Sequence, residues 1–161
     1  MTGTPNVNKL LSAYHALTLL FLAGFALYDK RHHRIRNAAL LAFLPWCLLS
    51  PVLMYCTFPY LSPAYWGIRS ALGLFAGFAL LFSVSLATGG GIGGGDIKLV
   101  ALLGIPFGVS GLMGALALSC LYALIHLGIL KAYKKKPKEN IPFAPYLFFG
   151  CATVMLLQLV P

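Results

Sequence analysis

The sequence predicts an all-α membrane protein, built as a bundle of about six transmembrane helices. Hydrophobic residues make up 60% of the 161-residue chain and charged residues only 9%, whereas soluble domains carry about 25% charged residues. The mean hydropathy is +0.86. The apolar residues form long runs separated by short polar loops, as expected for helices that cross a hydrocarbon core of about 30 Å. We therefore expect one transmembrane domain over residues 1–161.

Six apolar runs account for the expected spans, about residues 10–28, 38–58, 66–87, 97–109, 112–130 and 143–160. The first run, Leu10–Tyr28, contains no charge and would form a helix about 28 Å long. Asn37 is a typical N-cap for the second helix. In the third helix, Gly73 and Gly77 form a G-x-x-x-G pair, which predicts close packing against another helix.

The fourth and fifth spans follow from a break in the apolar stretch Ile97–Leu130. Its 34 residues would make a helix of about 51 Å, which is too long for one crossing. The segment Gly104–Gly111 contains three glycines and Pro106, so the break is expected there.

The basic residues assign the two faces of the membrane. With six spans, ten of the 12 Lys and Arg residues fall on the face that holds the end of the first span and the start of the fourth. Only Lys9 and Arg69 fall on the other face. The positive-inside rule then makes the first face cytoplasmic and both termini non-cytoplasmic. This pattern predicts a multi-pass protein of the cell inner (cytoplasmic) membrane whose basic loops contact anionic lipids.

Several other functions lack support in the sequence. Nucleic acid is not an expected partner, because the basic residues form two short clusters beside apolar segments. The four cysteines form no C-x-x-C pair and are expected to be small buried hydrophobic residues. His32 and His33 belong to a solvated basic turn, so no metal site and no cofactor are predicted. His126 is expected to have a partner within the bundle.

The chemistry centres on Asp96, which follows the glycine-rich segment Thr88–Gly95. The chain has only three acidic residues, Asp29, Asp96 and Glu139. A carboxylate beside hydrocarbon is costly, by about 2.5–3.5 kcal/mol on insertion scales, and is therefore a functional candidate. Asp29 ends the first span and Asp96 begins the fourth, so both lie on the same face. Such a pair, if in contact, shares a proton and can catalyse acid–base hydrolysis of a peptide bond.

Simpler interpretations of these residues remain open at this point. Asp96 could be an N-cap that suits the positive end of its helix, and Asp29 an ordinary partner of Lys30 or Arg31. The glycines could form a hinge, or Gly93, Gly94 and Gly95 could let a substrate backbone approach Asp96. Lys98 could position the substrate or extend to the lipid headgroups. A phosphate-binding loop is not expected, because Asp96 and Ile97 interrupt the G-x-x-x-x-G-K-[ST] order.

Three motifs, which together extend over essentially the whole chain, resemble one family. Gly93–Leu99 resembles the G-x-G-D-x-K-L signature of type IV prepilin peptidases. Asp29, followed by a basic turn and Ile35–Asn37, resembles the first aspartate of that family with its I-P-N ending, except that Arg36 replaces the proline. Ile141–Pro145 resembles the proline motif before the family's last helix.

The resemblance implies an intramembrane aspartic protease of the G-x-G-D class, with Asp29 and Asp96 as the catalytic residues. Such an enzyme removes the short basic leader of a prepilin-like substrate at the cytoplasmic membrane face. The chain resembles the short form of the family, without the N-terminal cytoplasmic segment and its paired C-x-x-C motifs. Methyl transfer is therefore not expected.

Two other classes of membrane protein share some of these features. Presenilins and signal peptide peptidases also pair Tyr-Asp with G-x-G-D, and Tyr28–Asp29 fits, but those chains have nine spans and carry the pair late. A small transporter or channel subunit would use the Gly-rich break and Pro106 as a discontinuous helix, with Asp96 as the ion-binding group.

Overall fold

A computed structural model describes residues 5–32, 35–132 and 143–159, and every regular element in these ranges is a helix. The helices are α1 (Pro5–His32), α2 (Asn37–Thr57), α3 (Pro63–Ala87), α4 (Gly94–Ala132) and α5 (Ala144–Leu159). Helices α1 to α4 are each long and apolar enough to cross a membrane, and α5 is a shorter apolar helix. The predicted all-α membrane fold is confirmed.

Helix α4 is broken at Gly108, inside the segment where the sequence predicts a break. Gly108 has φ 64° and ψ −176°, a backbone conformation that is essentially restricted to glycine. It divides α4 into a first arm, residues 94–107, and a second arm, residues 109–132. A Cβ on Gly77 of α3 would lie 2.9 Å from the Val100 oxygen in the first arm and 2.8 Å from Leu112 in the second. Both arms therefore pack on the same glycine of α3.

The G-x-x-x-G pair of α3 packs on the first arm of α4. A Cβ added to Gly73 would overlap the carbonyl oxygen of Gly104, and a Cβ on Gly104 would overlap the backbone of Gly73. The two backbones are thus in direct contact. This confirms the close packing that the sequence predicts for Gly73 and Gly77.

Arg69 of α3 caps the break in α4. Its Nη2 donates to the Phe107 carbonyl at 2.8 Å and its Nη1 to the Pro106 carbonyl at 3.3 Å. These carbonyls lie at the end of the first arm, directly before the non-helical Gly108. The guanidinium also lies 5.7 Å from the Trp66 ring centroid. The sequence places Arg69 only on the membrane face opposite the aspartates and does not predict this contact.

Helix α5 runs antiparallel to the second arm of α4. Gly150 packs against Ala115 and Ser119, while the His126 Nδ1 lies 2.6 Å from the Tyr146 hydroxyl near the start of α5. The predicted bundle partner of His126 is therefore Tyr146. Because α5 begins beside Asp29 (below), the end of α4 returns to the Asp29 end of the bundle.

Two sequence predictions are wrong. Arg36, not Asn37, occupies the N-cap position of α2, and its side chain makes no capping bond. Cys47 and Cys151 are buried as predicted, but Cys56 and Cys120 are exposed on the outside of the bundle. An apolar residue can face lipid as readily as the core, so hydropathy alone does not predict burial between helices.

Some predictions lie outside the described residues. They concern His33, Arg34, Glu139, the lysines at 134–138, and residues 141, 142 and 160.

Candidate active site

Asp29 is buried near the end of α1, with 5% of its surface exposed. Its Oδ2 accepts a hydrogen bond from the Ala144 backbone N–H at 3.3 Å. Ala144 is the first residue of α5. The last turn of α1 is an unfavourable position for a negative charge, whereas the first turn of α5 is a favourable one. The start of α5 therefore stabilises the Asp29 carboxylate.

Local sequence explains why α5 presents this N–H group. The Phe143 carbonyl accepts hydrogen bonds from the N–H groups of Tyr146 at 3.1 Å and Leu147 at 3.2 Å. These bonds form the first turn of α5. Pro145 follows Ala144, and proline suits the first turn because no helical partner is needed there. The Ala144 N–H has no intrahelical acceptor and binds Asp29. The sequence analysis missed this contact, although a proline after a loop is a signal for a helix start.

Asp96 lies in the first turn of α4 but is not its N-cap. The cap position is Gly93, whose carbonyl accepts from the Asp96 N–H at 3.0 Å and the Ile97 N–H at 3.3 Å. The Oδ1 atom of Asp96 is buried and has no hydrogen-bond partner. Asp96 is therefore not the N-cap, although its charge lies in the first turn and suits the positive end of α4.

The two aspartates lie on different helices at the same end of the bundle. Asp29 and Asp96 are close enough to interact electrostatically, and they are the only acidic residues in the described ranges. No group of three or more His, Cys, Asp or Glu side chains that could hold a metal is found among these residues. A pair of carboxylates can bind one proton between them, with one member acting as a base and the other as an acid.

The glycine-rich segment divides into two parts with different roles. Gly89 and Gly90 have φ 63° and 90° and end α3. The Gly90 N–H donates to the Ser85 carbonyl at 2.8 Å, and the Gly89 N–H to the Leu86 carbonyl at 3.2 Å. This pair of bonds is a Schellman cap. These two glycines are explained by helix termination.

Gly93, Gly94 and Gly95 surround the start of α4 and differ in their neighbours. A Cβ on Gly93 would lie 3.4 Å from Asp96 Oδ2. A Cβ on Gly94 would meet nothing within 4 Å, whereas one on Gly95 would lie 2.9 Å from the Ile35 Cβ. Gly95 therefore permits packing of α4 against the segment before α2. Of the three, Gly93 lies against the Asp96 carboxylate and Gly94 faces open space.

Lys98 is directed to α2. Its Nζ donates to the Asn37 Oδ1 at 3.0 Å. Residues two positions apart on a helix point about 200° apart, so Lys98 and Asp96 leave α4 on different sides. The predicted role of Lys98 in positioning substrate stays a prediction.

Comparison with known proteins points to a family. The model of the type IV leader peptidase family matches residues 16–128, a range that contains both aspartates. The prepilin leader peptidase/N-methyltransferase of Bacillus subtilis (strain 168) is 33% identical over 143 residues, which cover 88% of this chain and 54% of the relative. The chain thus spans about half the length of that curated relative. No solved structure matches. Taken with the paired aspartates, these comparisons show that the chain belongs to the type IV leader peptidase family.

Proposed function

We propose that this protein is an intramembrane aspartic endopeptidase that removes the short basic leader of prepilin-like proteins. The observation that carries the proposal is that Asp29 and Asp96, on α1 and α4, lie within electrostatic range of each other in a member of the leader peptidase family. The reaction consumes water and needs neither a metal nor a cofactor. The substrate is a prepilin-like protein.

The hydrogen bond from Ala144 distinguishes the two carboxylates. A backbone N–H stabilises an ionised oxygen, so Asp29 suits the role of base and takes a proton from the attacking water. Asp96, whose Oδ1 has no donor, holds the shared proton and gives it to the carbonyl oxygen of the scissile peptide. Protonated Asp29 then gives its proton to the leaving amine, and the diol intermediate returns its proton to Asp96 as the new carboxyl group forms. The pair ends with the one proton with which it began.

The basic residues at the aspartate end of the bundle support cleavage at the cytoplasmic membrane face. The described basic residues at the aspartate end of the bundle are Lys30, Arg31, Arg36, Lys98 and Lys131. By the positive-inside rule this end faces the cytoplasm. A leader that enters from the cytoplasm would reach the carboxylates past Gly93 and Gly94, where side chains are absent. Lys98 would contact the substrate only on the side of α4 that faces α2.

The test is leader removal from a co-expressed prepilin-like substrate, followed by the shift in its mobility. Asp29→Asn and Asp96→Asn should each reduce cleavage by at least about 10²- to 10⁴-fold, the contribution typical of one acid or base. Lys131→Gln, at an exposed residue of the aspartate end of the bundle, offers a control that keeps both aspartates and should cleave normally. Normal processing by either Asn variant, in a membrane-inserted protein, would refute the proposal.

The transporter alternative is not favoured by the family comparison. The expectation that the chain lacks methyltransferase activity stays a prediction, and the name of the Bacillus relative includes N-methyltransferase. Incubating the cleaved product with a labelled methyl donor would test it.

A further inference from the structure

A narrow apolar groove lies between α1 and α2 on the outside of the bundle. Its volume is about 420 Å³, and its walls extend along α1 from Leu17 to Tyr28. Gly24 lies in its wall, and a Cβ there would meet nothing within 4 Å. The space is therefore open and is not filled by a neighbouring helix.

The dimensions of the groove fit a hydrocarbon chain. From Leu17 to Tyr28 the rise along α1 is about 17 Å, which is close to half of the roughly 30 Å hydrocarbon core, that is, one leaflet. The lining is almost entirely apolar, so an extended acyl chain of one leaflet matches both the length and the chemistry of the groove.

The end of the groove nearest the aspartates is positively charged. Arg36 lines it there, its side chain is exposed, and it forms no ion pair with the acidic residues of the described ranges. The N-terminus of α2 follows directly, without a side-chain cap, and adds the positive end of a helix dipole. Tyr28 lies at the same level, where aromatic residues meet the membrane interface.

We propose that this groove binds one anionic glycerophospholipid of the leaflet at the aspartate end. An acyl chain lies along Gly24 between α1 and α2, and the phosphate pairs with Arg36. Charge complementarity selects an anionic over a zwitterionic headgroup. A single cation near the membrane surface favours an anionic lipid roughly fivefold.

Native mass spectrometry of the full chain in detergent tests this proposal, since it needs no peptidase activity. The probes are dioleoylphosphatidylglycerol and dioleoylphosphatidylcholine, added separately. The wild-type protein should bind phosphatidylglycerol about fivefold better. Arg36→Gln should remove that preference, whereas Arg31→Gln, which alters an exposed arginine outside the groove, should keep it.

A second pair of variants tests the acyl-chain site. Gly24→Leu should fill the groove and reduce binding of both lipids, while Gly128→Leu, at another glycine with open space, should not. Equal loss of preference in the two arginine variants would show diffuse charge attraction and overturn the proposal. Unchanged lipid binding by Gly24→Leu would also overturn it; if that variant stopped leader cleavage as well, the groove would belong to the peptide substrate.

Discussion

Arg69→Met should destabilise the bundle, because it removes the cap from the break in α4. Methionine has about the length of the aliphatic part of arginine but carries no donor. The carbonyls of Pro106 and Phe107 therefore lose the hydrogen bonds that Arg69 gives them. A buried carbonyl that loses its partner costs about 1–3 kcal/mol. Hydrogen bonds between membrane helices average about 0.6 kcal/mol and reach about 1.7 kcal/mol. For two bonds we expect a loss of about 1–4 kcal/mol.

The assay is reversible unfolding of the purified protein in mixed micelles, followed by circular dichroism. Arg69→Lys should recover part of the lost free energy of unfolding. The single ammonium nitrogen of lysine can donate to a carbonyl, but it lacks the planar set of donors with which a guanidinium reaches two acceptors. Lys9→Met, which removes the other basic residue predicted for that membrane face, is the control. If Arg69→Met unfolds like the control, the two hydrogen bonds do not stabilise the break and the reasoning is wrong.

Gly108→Ala should destabilise the same point for a different reason. An alanine in this backbone conformation costs about 1–3 kcal/mol, and its Cβ would lie 2.9 Å from the Arg69 guanidinium. Because the two sites are in contact, the losses in the Arg69→Met/Gly108→Ala double variant should not be additive. If the two losses in the free energy of unfolding simply add, the guanidinium does not interact with the break.

Three further predictions follow from the packing. Gly104→Ala should lower the melting temperature, because its Cβ would overlap the α3 backbone, while Gly67→Ala, which meets nothing within 4 Å, should not; equal melting would refute the close contact. A membrane-permeant maleimide should label exposed Cys120 faster than buried Cys47, as intact-mass analysis of single-cysteine variants can measure, and equal rates would contradict the helix orientations. Gly94→Val should slow leader cleavage without lowering the melting temperature, since a side chain at Gly94 meets nothing within 4 Å. Unchanged cleavage would show that Gly94 is only a linker.

Much of the architecture follows from local sequence. The low content of charged residues predicts the membrane environment, because unpaired charges are excluded from hydrocarbon. Gly73 and Gly77 predict a close helix contact, because only glycine lets two backbones touch. The segment Gly104–Gly111 predicts a break, because one helix of that length exceeds the bilayer. The family match at residues 16–128 agrees with the resemblance of the aspartate motifs.

The sequence also brings Asp29 and Asp96 to the same face, since each charge ends or begins an apolar run. What it determined by itself was therefore which segments are helical and, to within a few residues, where they end. These features depend on residues that are near one another along the chain.

Only the tertiary structure decided which groups meet across the bundle. The Ala144 N–H on Asp29, Lys98 on Asn37 and Arg69 on the broken end of α4 each join residues far apart in sequence. The same holds for the burial of Cys47 and the exposure of Cys120. The physical reason is that lipid is as apolar as the protein interior, so an apolar helix has no polar face to reveal which side its neighbours occupy. Its rotation is set by packing and hydrogen bonds with the other helices.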